Sequence, residues 1–150
     1  MTDLDGAELL RQARSILLID WPSRDVPDTL AKAGFMVITD AGRGRGYVAH
    51  EVDRGTVAMR EVEELPTTFD IVYAHRPISE LPAVIERARA LKAGVIWLQS
   101  GRDSTGARTA TGCWLAPADS HKARQLVEAA GLTYVEGPYI ADATRAIANR

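Results

Sequence analysis

Apolar residues fall along this chain in short unbroken runs, separated by longer stretches with helical spacing. The run Ile16, Leu17, Leu18, Ile19 is followed by a polar corner over 20–25, a helical segment over 26–33, Gly34 and a second run at 35–38 (Phe35, Met36, Val37, Ile38). Runs of that length without polar alternation suit strands covered on both faces, as in a parallel sheet. A helix between two such strands makes a right-handed crossover. The corner leaving the first strand then lies at the carboxyl edge of the sheet, facing a helix N-terminus. Unpaired N–H groups and a partial positive charge make such a corner a seat for a phosphate or nucleotide.

The remaining pattern extends this frame. Positions 3–14 predict a leading helix with Ala7, Leu10 and Ala13 on one face. Residues 40–56 are glycine-rich and hold no sustained period, so they read as a loop with a short extended piece at 47–49. Residues 60–65 read as one or two helical turns before Pro66. A third strand is expected at 70–74, then a helix N-capped by Ser79 with Leu81, Val84, Ile85, Ala88 and Leu91 inward, a stop at Gly94, and a fourth strand at 95–98. A Ser/Thr/Gly loop spans 99–117. A helix capped by Asp119 or Ser120, with Ala123, Leu126, Val127 and Ala130 inward, leads through Gly131 to a fifth strand at 132–135 and a closing helix at 139–148. The architecture expected is α/β: a doubly wound five-stranded parallel sheet of order 3-2-1-4-5, helices on both faces, forming a single domain over 1–150.

Composition narrows the partners. At 150 residues, 46% hydrophobic and 25% charged, the chain is of ordinary globular make-up. Net charge is −2 and the basic residues are spread along the whole length, which argues against a nucleic-acid partner. One cysteine, no long apolar run and an acidic start argue against export and membrane insertion, leaving the cytoplasm as the expected compartment.

In a sheet of this kind the loops after the first four strands converge at the switch point. They supply the candidate ligand residues: Asp20, Trp21, Pro22, Ser23 and Arg24; Thr39, Asp40, Arg43 and Arg45; His75 and Arg76; Gln99, Ser100 and Gly101. Asp20 and Asp25 also suit turn and helix-cap positions. Asp40, at the end of the second strand, stands where a dinucleotide-binding fold places a ribose-binding carboxylate, which leaves an NAD(P)-binding enzyme or redox sensor as an alternative. Arg43 and Arg45 lie between glycines that let a loop fold around an anion. The histidines (His50, His75, His121) are far apart and lack metal-ligand spacing. Cys113 has no evident base partner, and no G-x-S-x-G serine is present. No catalytic apparatus is legible.

At these residues the chain resembles the small Rossmann-like CoA-binding proteins related to the N-terminal domain of the succinyl-CoA synthetase alpha subunit. The resemblance runs through ILLID, AGFMVI, VEELPTTFDIVYAHRP, ALKAGVIWLQSG and VEAAGLTYVEGPYI, in that order. It implies a small-molecule ligand, coenzyme A or an acyl-CoA, bound without transformation, and it places His75 and Arg76 after the third strand and Gln99, Ser100 and Gly101 after the fourth. Two departures stand out. The corner Asp20-Trp21-Pro22-Ser23-Arg24-Asp25 has no glycine, where the family has a glycine-containing phosphate loop, so a scaffold with a decayed nucleotide site is a further alternative. The segment 102–117 is longer than the family's link, and a lid, an oligomer contact between copies or neutral padding are all open for it.

Overall fold

The computed structural model describes residues 6–40 and 46–148. In chain order the elements are α1 (Gly6–Gln12), β1 (Ser15–Ile19), α2 (Asp25–Lys32), β2 (Met36–Asp40), β3 (Tyr47–Asp53), β4 (Thr56–Val62), β5 (Ile71–Ala74), α3 (Leu81–Ala90), β6 (Val95–Leu98), α4 (Pro117–Ala129), β7 (Thr133–Glu136) and α5 (Ile140–Ala148). They form one seven-stranded sheet of order β4-β3-β2-β1-β5-β6-β7.

Five strands are parallel, and β1 is central, in register with β2 (Leu17 beside Ile38) and with β5 (Leu17 beside Val72). Its run alternates between two cores because both faces are covered. Ile16 and Leu18 pack with Leu10, Val26, Leu30, Tyr73, Trp97 and Ile140. Leu17 packs with Val72, Leu81, Val84, Ile85, Ile96 and Val127 on the opposite face. Helices on both faces and the central, parallel placement of 16–19 agree with the sequence reading.

The strand number and order do not. Among the five parallel strands the observed order is 2-1-3-4-5 rather than 3-2-1-4-5, since the chain leaves β2, returns across the sheet and adds β5 to the far side of β1. The outer edge of β2 is taken by an antiparallel hairpin, β3 and β4, in the place assigned to a loop and a helical turn. Two consecutive left-handed residues, Arg54 (φ 52°) and Gly55 (φ 83°), make its two-residue turn. Such a turn matches the twist of the flanking strands. Alternation in β3 is concealed because a polar residue, His50, is buried while Val52 is half exposed. The fourth helix begins at Pro117 rather than at the expected caps, and it turns Ala123 and Val127 inward but leaves Leu126 36% exposed.

Candidate functional site

The chain reverses its direction of travel across the sheet between β1 and β5, so their carboxyl ends flank the switch-point crevice. Asp20 leaves β1 with φ 60°, a left-handed conformation tolerated by aspartate when its side chain bonds locally. Its Oδ1 accepts the Trp21 N–H at 2.9 Å, and its own N–H donates to the Asp40 carbonyl at 3.3 Å, joining the ends of β1 and β2. Asp20 thus takes the left-handed turn that glycine commonly takes, without opening backbone N–H groups to a phosphate.

Across the crevice, Arg76 follows β5. Its Nη1 donates to Asp20 Oδ2 at 3.0 Å, while Nε and Nη2 donate to Glu80 Oε2 at 3.0 and 2.5 Å. Hydrogen bonds from Glu80 first, then Asp20, push the Arg76 pKa further up, so the guanidinium stays cationic. All three side chains reach solvent, at 38% for Arg76, 43% for Asp20 and 42% for Glu80. An incoming anion therefore meets a guanidinium already shared between two carboxylates. His75 lies beside it, half-buried, its ring so close under Gly101 that a Cβ there would sit 2.8 Å from Cε1. Burial pushes the ring's pKa down, against the pull of Asp20, and its Nδ1 is buried without a partner.

The fourth strand's end is built differently. Gln99 is fully buried: its Oε1 accepts the Tyr73 hydroxyl at 2.5 Å and its Nε2 donates to the Ala110 carbonyl at 2.8 Å. It thus ties the following loop to the sheet. That loop folds on itself through the Gly101 N–H on the Gly112 carbonyl (2.8 Å) and the Arg102–Arg108 bridge. Ser100 Oγ accepts the Arg102 N–H at 3.2 Å.

The structure brings Asp20, His75, Arg76 and Gly101 together, and the following described candidates take other roles. Trp21 packs against the α2-side core with its ring edge-on to His50, centroids 6.4 Å apart. Pro22 is half-buried, Ser23 and Arg24 are exposed, and Arg24 pairs with Asp28 at 3.3 Å. The start of α2 does not fit a phosphate. Its Asp25, Val26 and Asp28 N–H groups are taken by Ser23 Oγ, Ser23 O and Arg24 O, Pro27 has none, and two carboxylates stand in the first turn. Asp25 is not a cap: its carboxylate accepts from Tyr139 (2.8 Å), Arg145 (2.8 Å) and Thr29 (3.1 Å), holding α5 on α2, and the Arg145 hydrogen bond pulls its pKa down.

Thr39 is buried, its hydroxyl between Val48 O (3.3 Å) and His50 Nε2 (3.1 Å). Asp40 pairs with Arg87 of α3 at 2.7 Å, and the same guanidinium donates to the Tyr47 hydroxyl at 2.8 Å and lies 5.5 Å from that ring's centre. Arg43 and Arg45 lie outside the described residues. Sequence reasoning missed Glu80, Tyr47 and Arg87, and the bond that Tyr73 makes to Gln99. Only Glu80 carried a signal, its i+4 spacing from Arg76.

A family model described as the CoA binding domain matches residues 19–141, a span that includes every one of these strand ends. The chain belongs to that CoA-binding family. Two solved structures share its fold. One, the cell-free ID.343 protein from Thermus thermophilus, is 27% identical over 93% of this chain and 93% of that one, with TM-score 0.56. Another, Prb, a protein redesigned for binding, is 17% identical over 98% of this chain and 96% of that one, with TM-score 0.59. No curated protein matches. Among the described residues no group of His, Cys, Asp or Glu gathers as a metal site, and no helix is long and apolar enough to cross a membrane.

Proposed function

We propose that the chain, acting as one domain, binds coenzyme A or an acyl-CoA at the carboxyl ends of β2, β1, β5 and β6 and does not transform it. The observation that carries this reading is the family match over 19–141 together with a guanidinium, Arg76, at the switch point of a parallel sheet. Because the α2 start is closed to phosphate, side chains supply the anion contacts. Arg76 is reached by displacing Asp20 or Glu80, and Arg43 and Arg45 follow β2. The non-catalytic reading is supported by the one thiol, Cys113, whose pKa burial pushes up to about 11, far from a ready nucleophile. The ribose-carboxylate reading of Asp40 is disfavoured by its 2.7 Å pairing with Arg87.

Calorimetric titration with CoA, dephospho-CoA, acetyl-CoA and NAD tests the proposal. Arg76→Ala is expected to weaken CoA binding by roughly tenfold or more, the value of one charge-assisted hydrogen bond. Arg43→Ala combined with Arg45→Ala is expected to abolish discrimination between CoA and dephospho-CoA, while acetyl-CoA is recovered intact after incubation. No CoA binding by the wild type, CoA affinity unchanged in all variants, or NAD binding that is tighter than CoA and lost in Asp40→Ala, overturns it.

A further inference from the structure

The two edges of the sheet are finished differently. The β7 edge is four residues long and runs directly into Gly137 and Pro138, which blunts it. The β4 edge is seven residues long, Thr56–Val62, with no proline and no bulge in its continuous pairing to β3, and among the described residues nothing pairs with its outer side. An edge of that length presents a row of N–H and C=O groups to another strand.

Register fixes which groups point outward. The two-residue turn at Arg54-Gly55 closes on Asp53 and Thr56 as a mutually hydrogen-bonded pair, and such pairs alternate along an antiparallel ladder. Thr56, Ala58, Arg60 and Val62 therefore bond inward to β3, while Val57, Met59 and Glu61 turn their backbone groups to the free edge. The side chains of the same outward residues share one face, where Met59 (60% exposed) and Val52 (48% exposed) flank the half-buried Val57.

We propose that β4 is the contact between two copies of this chain, paired antiparallel about a two-fold axis at Met59. A two-fold axis normal to the sheet keeps each residue on its own face, so only registers centred on a residue are allowed, and in each of these outward groups face outward groups. Centring on Arg60 or Glu61 sets like charges against each other, and centring on Val57 or Ala58 leaves Glu61 beyond the partner strand. Centring on Met59 pairs Met59 with Met59 and Val57 with Glu61 on both sides, so every outward N–H and C=O of the strand is used. On the other face Arg60 lies opposite the partner's Ala58, its charge already balanced by Glu51 of its own copy at 2.7 Å. No like charges stand directly opposed, and the exposed methionines cover each other.

Sedimentation velocity over a range of concentrations tests this, with circular dichroism to verify folding. The wild type is expected to form a dimer, and Met59→Lys, a change at an exposed side chain that sets two cations face to face, to raise its dissociation constant by roughly tenfold or more. With a mild thiol oxidant added to accept the two electrons, Met59→Cys is expected to form an intermolecular disulfide at position 59, because a directly opposed pair lies about 5.5 Å apart. Val57→Cys is expected not to cross-link to itself, its counterpart lying four residues further along, at roughly 13 Å. A wild type that is monomeric at every concentration, a dimer indifferent to Met59→Lys, or cross-linking at 57 as ready as at 59, overturns the proposal.

Discussion

Tyr73→Phe isolates the hydrogen bond on which the loop beside the crevice depends. Tyr73 and Gln99 are both fully buried, and burial pushes the Tyr73 phenol's pKa well up, so the hydroxyl remains a donor at any ordinary pH. Deleting it keeps the ring and its packing but strands Gln99 Oε1 without water or a donor. A buried acceptor left unsatisfied costs about 1–3 kcal/mol. For a chain of this size that is a fall in melting temperature of about 2–12 °C. Gln99→Met removes the second bond as well, releasing the Ala110 carbonyl, so susceptibility of the 100–112 loop to limited proteolysis should rise more than in Tyr73→Phe. Urea titration of the two single variants and the double variant gives the coupling, expected at about 0.5–3 kcal/mol for partners in one network. A Tyr73→Phe loss under about 0.5 kcal/mol, or no coupling, would refute the claim that the Tyr73 hydroxyl holds Gln99 in place for its bond to the loop.

Two further outcomes follow from burial. His50 is 4% exposed and burial pushes its ring pKa down, against the pull of Asp28 and with a small push from Arg24. Its native state is neutral where the unfolded ring is charged, so stability is intact above about pH 6.5 and erodes as pH falls below it until the folded ring itself protonates, by up to about 1.4 kcal/mol per pH unit. His50→Gln, followed by urea titration between pH 7.5 and 5.5, should reduce that slope. An unchanged slope assigns the dependence to His75. Leu30→Ala, at a fully buried site, should cost about 2–5 kcal/mol, while Leu126→Ala should cost far less, and equal losses in denaturant titration contradict the placement of α4.

The parallel core was legible because residues such as Ile16, Leu17, Leu18, Val72 and Ile96 are apolar for a reason that a linear pattern carries: both faces of each strand are covered. Sheet order was not. Which edge a returning strand joins depends on whether the outer side of β2 is free, and it is taken by a hairpin whose alternation is masked by buried His50 and exposed Val52. On α4 the period gave the right helix but an inward face one residue too wide. At the crevice, the positions of Arg76, His75 and Gly101 followed from their places just after the third and fourth apolar runs, whereas the Glu80 partner was missed although its i+4 spacing from Arg76 offered a signal. The bond from Arg76 to Asp20 and the clamp of Arg87 on Asp40 and Tyr47 join residues remote in sequence, and no local pattern encodes them.

The Arg87 clamp bears on how this fold can change over time. Asp40 and Tyr47 are cross-strand partners at the last rung of β2 and β3, and one guanidinium from α3 engages both. The two ends of the connecting segment are therefore anchored independently of what lies between them. Doubling the length of a connection with fixed ends costs only about 0.6 kcal/mol of closure entropy. Insertions, deletions and substitutions between those anchors can accumulate with little effect on folding. A lineage can thus vary Arg43, Arg45 and their neighbours almost freely, and explore new ligand preferences there without putting the sheet at risk.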